Sequence, residues 1–380
     1  MTKLRGITWN HTRGYVPLVA ASQRFSEVNP DIEIEWEKRS LQEFADYPLG
    51  KLVDKFDLLV IDHPWAGAAI RNGYLYDLNL CLPPEFMSNQ KANSIGGSHE
   101  SYNVDGKQCA LAIDAAAPVA SYRPDLLRRL GRSVPQTWDE VLELARHGAV
   151  LFPGIPIDSL MNFYMLCSSQ GEDPFQQENV VISTETGVTG LEQLRELASF
   201  CPEIMYNFNP IKVYEAMAAS EEFSYCPFAY GYSNYSRTGY CEHQLVFTNP
   251  VRLGNRSLRT TLGGTGIALS AQSPSKDLAA QFLQLVAGPD FQRTMYSEAG
   301  GQPGHRGAWT DDSVNRLTNN YFRNTLETLD GSFMRPRYAG YLHFQDHAGF
   351  IVQRYLKSGG PPAAVLEELN QLYRESRNSA

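Results

Sequence analysis

The stretch "DGKQCALAIDAAAPVASYRPDLLRRLGRSVPQTWDEVLELA", residues 105–145, decides how the rest of the chain is read. Asp105-Gly106 is a turn signal, the apolar run to Ile113 is a strand, and Asp114 to Val119 has the small and β-branched residues of an extended crossing. A helix begins near Pro124, and a second follows at Thr137, where Thr serves as N-cap, Glu140 completes a capping box and Gly148 is the stop. A strand that leads through an extended crossing into helices marks a passage between two bodies of structure. Asp114 to Val119 is therefore the candidate hinge.

Upstream, Leu4 to Trp9 is short and β-prone, and Val16 to Val28 has helical spacing. "NPDIEIEWE" adds a Pro turn and an alternating strand with Ile32, Ile34 and Trp36 on one side, and "FDLLVID" is a buried strand ending at Asp62. This β-α-β-(α)-β opening predicts an open, mainly parallel sheet, whose ligands bind at the C-terminal ends of the strands. Downstream, helices are expected over Ile157–Gln170, Gly187–Phe200, Asn209–Ala219, Lys276–Val286, Pro289–Glu298, Val314–Leu326, Tyr341–Lys357 and Pro361–Ser376, with a strand at "LVFTNPV".

These segments resemble, in order, those of the family 1 extracellular solute-binding proteins of ABC importers. The resemblance is carried by "RFSEVNPDIEIEW", "FDLLVID", "GYLYDLN", residues 105–145 with their Pro-x-Thr-Trp-Asp-Glu cap, and "LGGTGIALSAQSPSKDLAAQFLQLVAGPDFQRTMYSEAGGQPGHR". It implies an α/β chain with the two-lobed periplasmic-binding-protein-like II fold, mixed sheets, lobes discontinuous in sequence, and a ligand held in an interlobe cleft. Residues 1–113 and 264–310 form the expected N-terminal lobe, and residues 114–263 and 311–380 the C-terminal lobe. It implies further a small-molecule ligand, usually a carbohydrate, and an ABC permease as partner.

Totals narrow the function. At 380 residues the chain exceeds what one core organises. The 42 acidic against 33 basic residues, net charge -9, argue against a nucleic-acid or anionic-membrane surface. Cys81, Cys109, Cys167, Cys201, Cys226 and Cys241 lack the spacing of a zinc or redox motif and read as free thiols. As written, the first residues hold no apolar run of export-signal length and read as cytoplasmic; a removed leader would make the protein periplasmic or extracellular.

Candidate ligand contacts follow from the strand-end rule. After the first strand come Asn10, His11, Arg13 and Tyr15, where Arg13 either clamps a carboxylate or phosphate or, in a solvated turn, pairs with a surface acid. After the later strand, Asp62, His63 and Trp65 offer a hydroxyl acceptor and a flat ring, or else a helix cap and a core residue. Asp114 faces ligand or fixes the hinge. In "YCPFAYGYSNYSR", Tyr230 and Tyr232 are the preferred stacking pair, with Asn234 beside them. Gly264 and Thr265 lie in a Gly-rich turn that offers backbone N–H groups but lacks a P-loop's Lys, and Gln302 and Arg337 complete the set. His343, His347 and Asp346 are the nearest approach to a metal set, and neither metal nor cofactor is expected. No nucleophile elbow is present. The sequence thus reads as a monomeric binding protein for a carbohydrate or small organic acid, the alternative being a leaderless enzyme or sensor on the same fold. His11, Arg13 and Arg337 are the residues that favour an acidic ligand.

Overall fold

Short apolar and β-branched runs build the main sheet. The structure is a computed structural model and describes residues 2–378. The principal strands are β1 (Thr2–Trp9), β2 (Ile32–Arg39), β3 (Leu58–Ile61), β4 (Leu111–Ala116), β5 (Pro118–Tyr122), β6 (Tyr225–Tyr230), β7 (Val246–Thr248) and β8 (Gly263–Leu269). The helices that matter for function are α1 (Thr12–Val28), α2 (Trp65–Arg71), α3 (Trp138–Arg146), α4 (Pro156–Ser169), α5 (Pro210–Ala219) and α6 (Tyr341–Ser358).

The chain divides into two compact units. Unit 1 takes the chain up to Ala116, Leu262–Arg323 and Arg337–Ala339; unit 2 takes Ala117–Thr261, Asn324–Pro336 and the chain from Gly340 on. Each unit is thus discontinuous in sequence. The boundaries differ from the expected 113/114, 263/264 and 310/311 for local reasons. Asp114 to Ala116 complete β4, and Gly263 already pairs with Ala116 in β8. Trp309 packs on Phe322 at 4.9 Å between ring centroids, which keeps the chain as far as Arg323 in unit 1. The passage from one unit to the other falls at Ala116–Ala117, inside the candidate hinge.

In unit 1 the strand order is β2-β1-β3-β8-β4. The first three strands are parallel, as the β-α-β opening predicts, whereas β8 runs antiparallel to both β3 and β4. Leu58, Val60, Leu111, Ile113, Ile267 and Leu269 point to one face, with Leu18, Ala21 and Phe25 of α1. Leu59, Ile61, Ala112 and Ala268 point to the other, under Ala66 and Ala69 of α2. Both faces are covered, so β3 is buried at every position. The approach of α1 to Trp9 is close: a Cβ on Gly14 would lie 2.3 Å from the indole.

In unit 2, β5 lies between β6 and β7 and is antiparallel to both. From Asp158 to Ser169 every residue of α4 is buried, the mark of a helix enclosed on all sides. The α6 helix crosses it where Gly349 lies against the carbonyl of Pro156. At α3 the predicted capping box is present: Glu140 N–H donates to Thr137 Oγ1 at 3.3 Å, and Thr137 N–H to Glu140 Oε2 at 3.1 Å. Thr137→Ala is therefore expected to lower stability by about 1 kcal/mol in urea denaturation. An unchanged midpoint would show that the cap contributes nothing.

The single helix expected over Val314–Leu326 is in fact two, Asp312–Leu317 and Tyr321–Asp330. Asn319 and Asn320 between them have φ of 48° and 60°, a left-handed turn that Asn tolerates. The helix expected over Pro289–Glu298 contains a π-turn at Gln292–Tyr296.

Candidate functional site

The parallel strands of unit 1 set their C-terminal ends on one edge, and antiparallel β8 brings its N-terminal end to the same edge. Trp9 pairs with Arg39, Gly266 with Ile61, and Thr265 with Asp114. The segments His11–Arg13, Asp62–Trp65, Asp114 and Gly264–Thr265 therefore meet there, although the first and last lie some 250 positions apart in the chain.

The centre of this edge is an ion pair. Arg13 Nε donates to Asp114 Oδ2 at 2.7 Å while Nη2 donates to Oδ1, a two-pronged pairing of fork and carboxylate. The side chains are 5% and 0% exposed. Burial pushes the Asp114 carboxyl upward, and the charge and hydrogen bonds of Arg13 pull it back. Tyr296, wholly buried, feels both charges; the π-turn at Gln292–Tyr296 places it there.

His11 is the N-cap of α1. Its Nδ1 accepts the backbone N–H of Arg13 at 3.0 Å, an acceptor role that requires this nitrogen to be unprotonated. Burial first, and then the Arg13 charge, lower its pKa to about 4, so the ring is neutral near pH 7. Asn10 is exposed and gives its backbone N–H to Arg39 O at 2.8 Å. Tyr15 is half-buried on α1, with Lys38 Nζ 4.6 Å from its ring centre.

At the end of β3, Asp62 Oδ1 accepts the backbone N–H of His63 at 2.8 Å and lies 3.3 Å from its Nδ1. His63 is buried with its ring edge-on to Tyr102. Trp65 starts α2 and packs in part on the core, while Asp62 keeps partial exposure. Thr265 faces Asp114 across β8 and β4, and its buried hydroxyl has no hydrogen-bond partner among the described residues. Gly264 has φ 98° and lies so close to β4 that a Cβ would sit 2.3 Å from Asp114 O.

Two of the expected contacts act as braces. Gln302 Nε2 donates to Ala115 O at 2.8 Å and holds β4 from beneath. Arg337 Nη1 donates to the carbonyls of Glu100, Ser101 and Asn103 at 2.8, 3.2 and 2.6 Å. In unit 2, Tyr230 closes β6, stays half-buried, and shares a 2.8 Å hydrogen bond with Thr261 Oγ1. Tyr232 is buried edge-on to Tyr214, and Asn234 lies buried in the 3-10 turn Ser233–Ser236. Thr261, Tyr296 and Asp158 escape sequence reasoning because their partners or surroundings come from distant segments. Among the described residues no group of three or more His, Cys, Asp or Glu is placed to hold a metal ion, and no helix is long and apolar enough to cross a membrane.

The family model for bacterial extracellular solute-binding proteins matches residues 20–319. The chain belongs to this family. Its α/β architecture of two discontinuous units is the fold of a solute-binding protein, as the resemblance implies. Maltose-bound T. maritima MalE3 is similar with TM-score 0.83 at 18% identity, covering 98% of this chain and 99% of its own. An ABC transporter solute-binding protein of Agrobacterium radiobacter in complex with ribitol gives 0.81 at 19% identity, covering 100% and 99%. A solute-binding protein of Thermotoga lettingae bound with alpha-D-tagatose gives 0.83 at 16%, covering 99% and 100%. At these identities the likeness is one of fold, and the ligand of this solute-binding protein has to be argued from its own residues.

Proposed function

We propose that this solute-binding protein takes a neutral polyhydroxylated molecule, a carbohydrate or sugar alcohol, at the strand-end edge of unit 1, and delivers it to an ABC importer outside the cytoplasm. The observation that carries the choice of ligand is the Arg13–Asp114 pair. The cation that favoured an acidic ligand already has its counter-ion, held by two hydrogen bonds. The other two arguments for an acid weaken as well. His11 is neutral, and one nitrogen of Arg337 serves three backbone carbonyls. What this edge leaves accessible is the partly exposed carboxylate of Asp62 and the half-buried ring of Trp65, beside the buried, charge-balanced Arg13–Asp114 pair. Hydroxyl groups and one apolar sugar face suit such a set. Tyr230 offers a similar mixture at the end of β6 in unit 2.

The solutes in the similar structures, maltose, ribitol and tagatose, agree with this choice. Membership of a family described as extracellular supports the location. A melting-temperature screen against maltose, ribitol, D-tagatose, succinate and citrate tests the reading. Saturable stabilisation by at least one neutral solute is expected, about 2.7 kcal/mol at a hundredfold excess over Kd. Stabilisation by the carboxylic acids alone would contradict it.

A further inference from the structure

Asp158 of unit 2 stands apart from the other acids at helix starts. It is the third residue of α4, where a carboxylate ordinarily folds back onto the cap. Glu43 and Glu140 do so at the starts of their helices, each bonding the backbone N–H of its N-cap residue. Asp158 does not. The N–H of its cap residue, Ile155, goes to Phe208 O, and the carboxyl makes no hydrogen bond or ion pair with any described residue. It is nevertheless only 5% exposed, with Oδ2 wholly enclosed. A carboxyl in that state costs the fold several kcal/mol if ionised, and nothing in α4 or the sheet needs it.

Its place in unit 2 suggests what it is for. Val150 bridges Tyr225 in parallel, and Leu151 N–H donates to Tyr225 O at 3.1 Å. Val150 and Leu151 thus run alongside the start of β6 in its own direction, and the chain heads toward the end of β6 that carries Tyr230 before α4 begins. Ile155, Pro156 and Ile157 at this start are partly exposed. The acid therefore lies at a strand-end edge of unit 2 beside an accessible turn.

We propose that Asp158 contacts the solute in its protonated form, donating its carboxylic O–H to a hydroxyl or ether oxygen of the ligand. This rests on the polyol reading above. Burial alone, with no charged neighbour contributing, moves the carboxyl up to about 8, so the proton is in place at neutral pH. The surrounding elements bring few charges toward it. From β6 comes the buried Cys226 thiol, on which Asp158 acts electrostatically, and the turn Glu203–Asn207 brings Tyr206, whose ring lies against Gly154. On α6 the nearest turns present Gly349 and Gln353, while His343, Asp346, His347 and Arg354 are exposed.

The test is titration calorimetry of the full chain with maltose, ribitol and D-tagatose at pH 6 to 9, for wild type, Asp158→Asn and Asp158→Ala. Because the bound acid must keep its proton, wild-type affinity is expected to hold below about pH 8 and to fall above it by up to tenfold per unit. Asp158→Asn keeps a donor without a titrating proton, so it should bind within about threefold of wild type at pH 7 and lose that dependence. Asp158→Ala should bind about tenfold more weakly or worse. Asp158→Asn should not lower the melting temperature at pH 7, since it keeps the shape of the acid and no hydrogen bond to the protein is lost. Wild-type affinity in the alanine variant, or a retained pH slope or a lowered melting temperature in the asparagine variant, would overturn the inference alone. Failure of wild type to bind any of the three solutes would overturn the polyol reading and this inference with it.

Discussion

Arg13→Ala is expected to destabilise unit 1 by about 3–5 kcal/mol, because it leaves the Asp114 carboxylate uncompensated in a site with almost no solvent. The remaining acid escapes only by taking up a proton. Its folded-state pKa then rises far above its unfolded value, and the folded form binds the extra proton. The variant should accordingly be most stable in acid and lose stability as pH rises from about 4 toward neutrality. Wild type, whose guanidinium opposes that shift, should show a shallower slope. Removing both charges with an apolar pair, Arg13→Met with Asp114→Leu, should recover most of the stability, since the desolvation cost disappears along with the attraction. It should not recover ligand affinity, because the polar edge is lost. Urea denaturation across pH distinguishes the cases. A loss below 1 kcal/mol in Arg13→Ala would mean that the pair is not buried as described.

Gly264→Ala should cost more than about 3 kcal/mol and weaken ligand binding together with stability. Two independent penalties coincide. A φ of 98° is a conformation that L side chains rarely adopt, and the added methyl would lie 2.3 Å from Asp114 O and 2.8 Å from Ala115 Cα. Those are backbone atoms, so no rotamer change relieves the contact, and β4 and β8 have to separate where they pair around Asp114. Since Asp114 holds Arg13, and the Arg13 backbone N–H bonds to His11, displacement there spreads along the whole edge. Urea denaturation and calorimetry on the same variant measure both effects. A variant within 1 kcal/mol of wild type would show that β4 and β8 separate freely there.

How legible these features are in the sequence depends on how local their physics is. The Thr137–Glu140 cap spans four residues and is read at once. The alternation in β2, the continuous apolar run of β3 and the parallel β1–β3 order follow from short patterns and connection lengths. The path of the chain back through β8 required the family resemblance, because nothing in "GGTGIAL" says which strand it will join. Arg13 and Asp114 are both evident as strand-end candidates, yet their mutual pairing joins residues 101 positions apart. That one contact changes the meaning of both: a clamp for an acid becomes a buried, charge-balanced pair. Asp158 is hidden for the converse reason. In "PIDS" it looks like an ordinary first-turn acid, and only the enclosure of α4 on all sides makes it exceptional.

The claim that the ligand is neutral is tested most directly by measuring, by calorimetry, the affinity of wild type for its best-stabilising solute at low and high ionic strength. With Arg13 already neutralised by Asp114, Kd should change by less than about twofold between 0.01 and 1 M salt, where the screening length shortens from about 30 to 3 Å. A tenfold or greater loss of affinity over that range would show that a charged ligand is being held by an unbalanced cation, and would contradict the account.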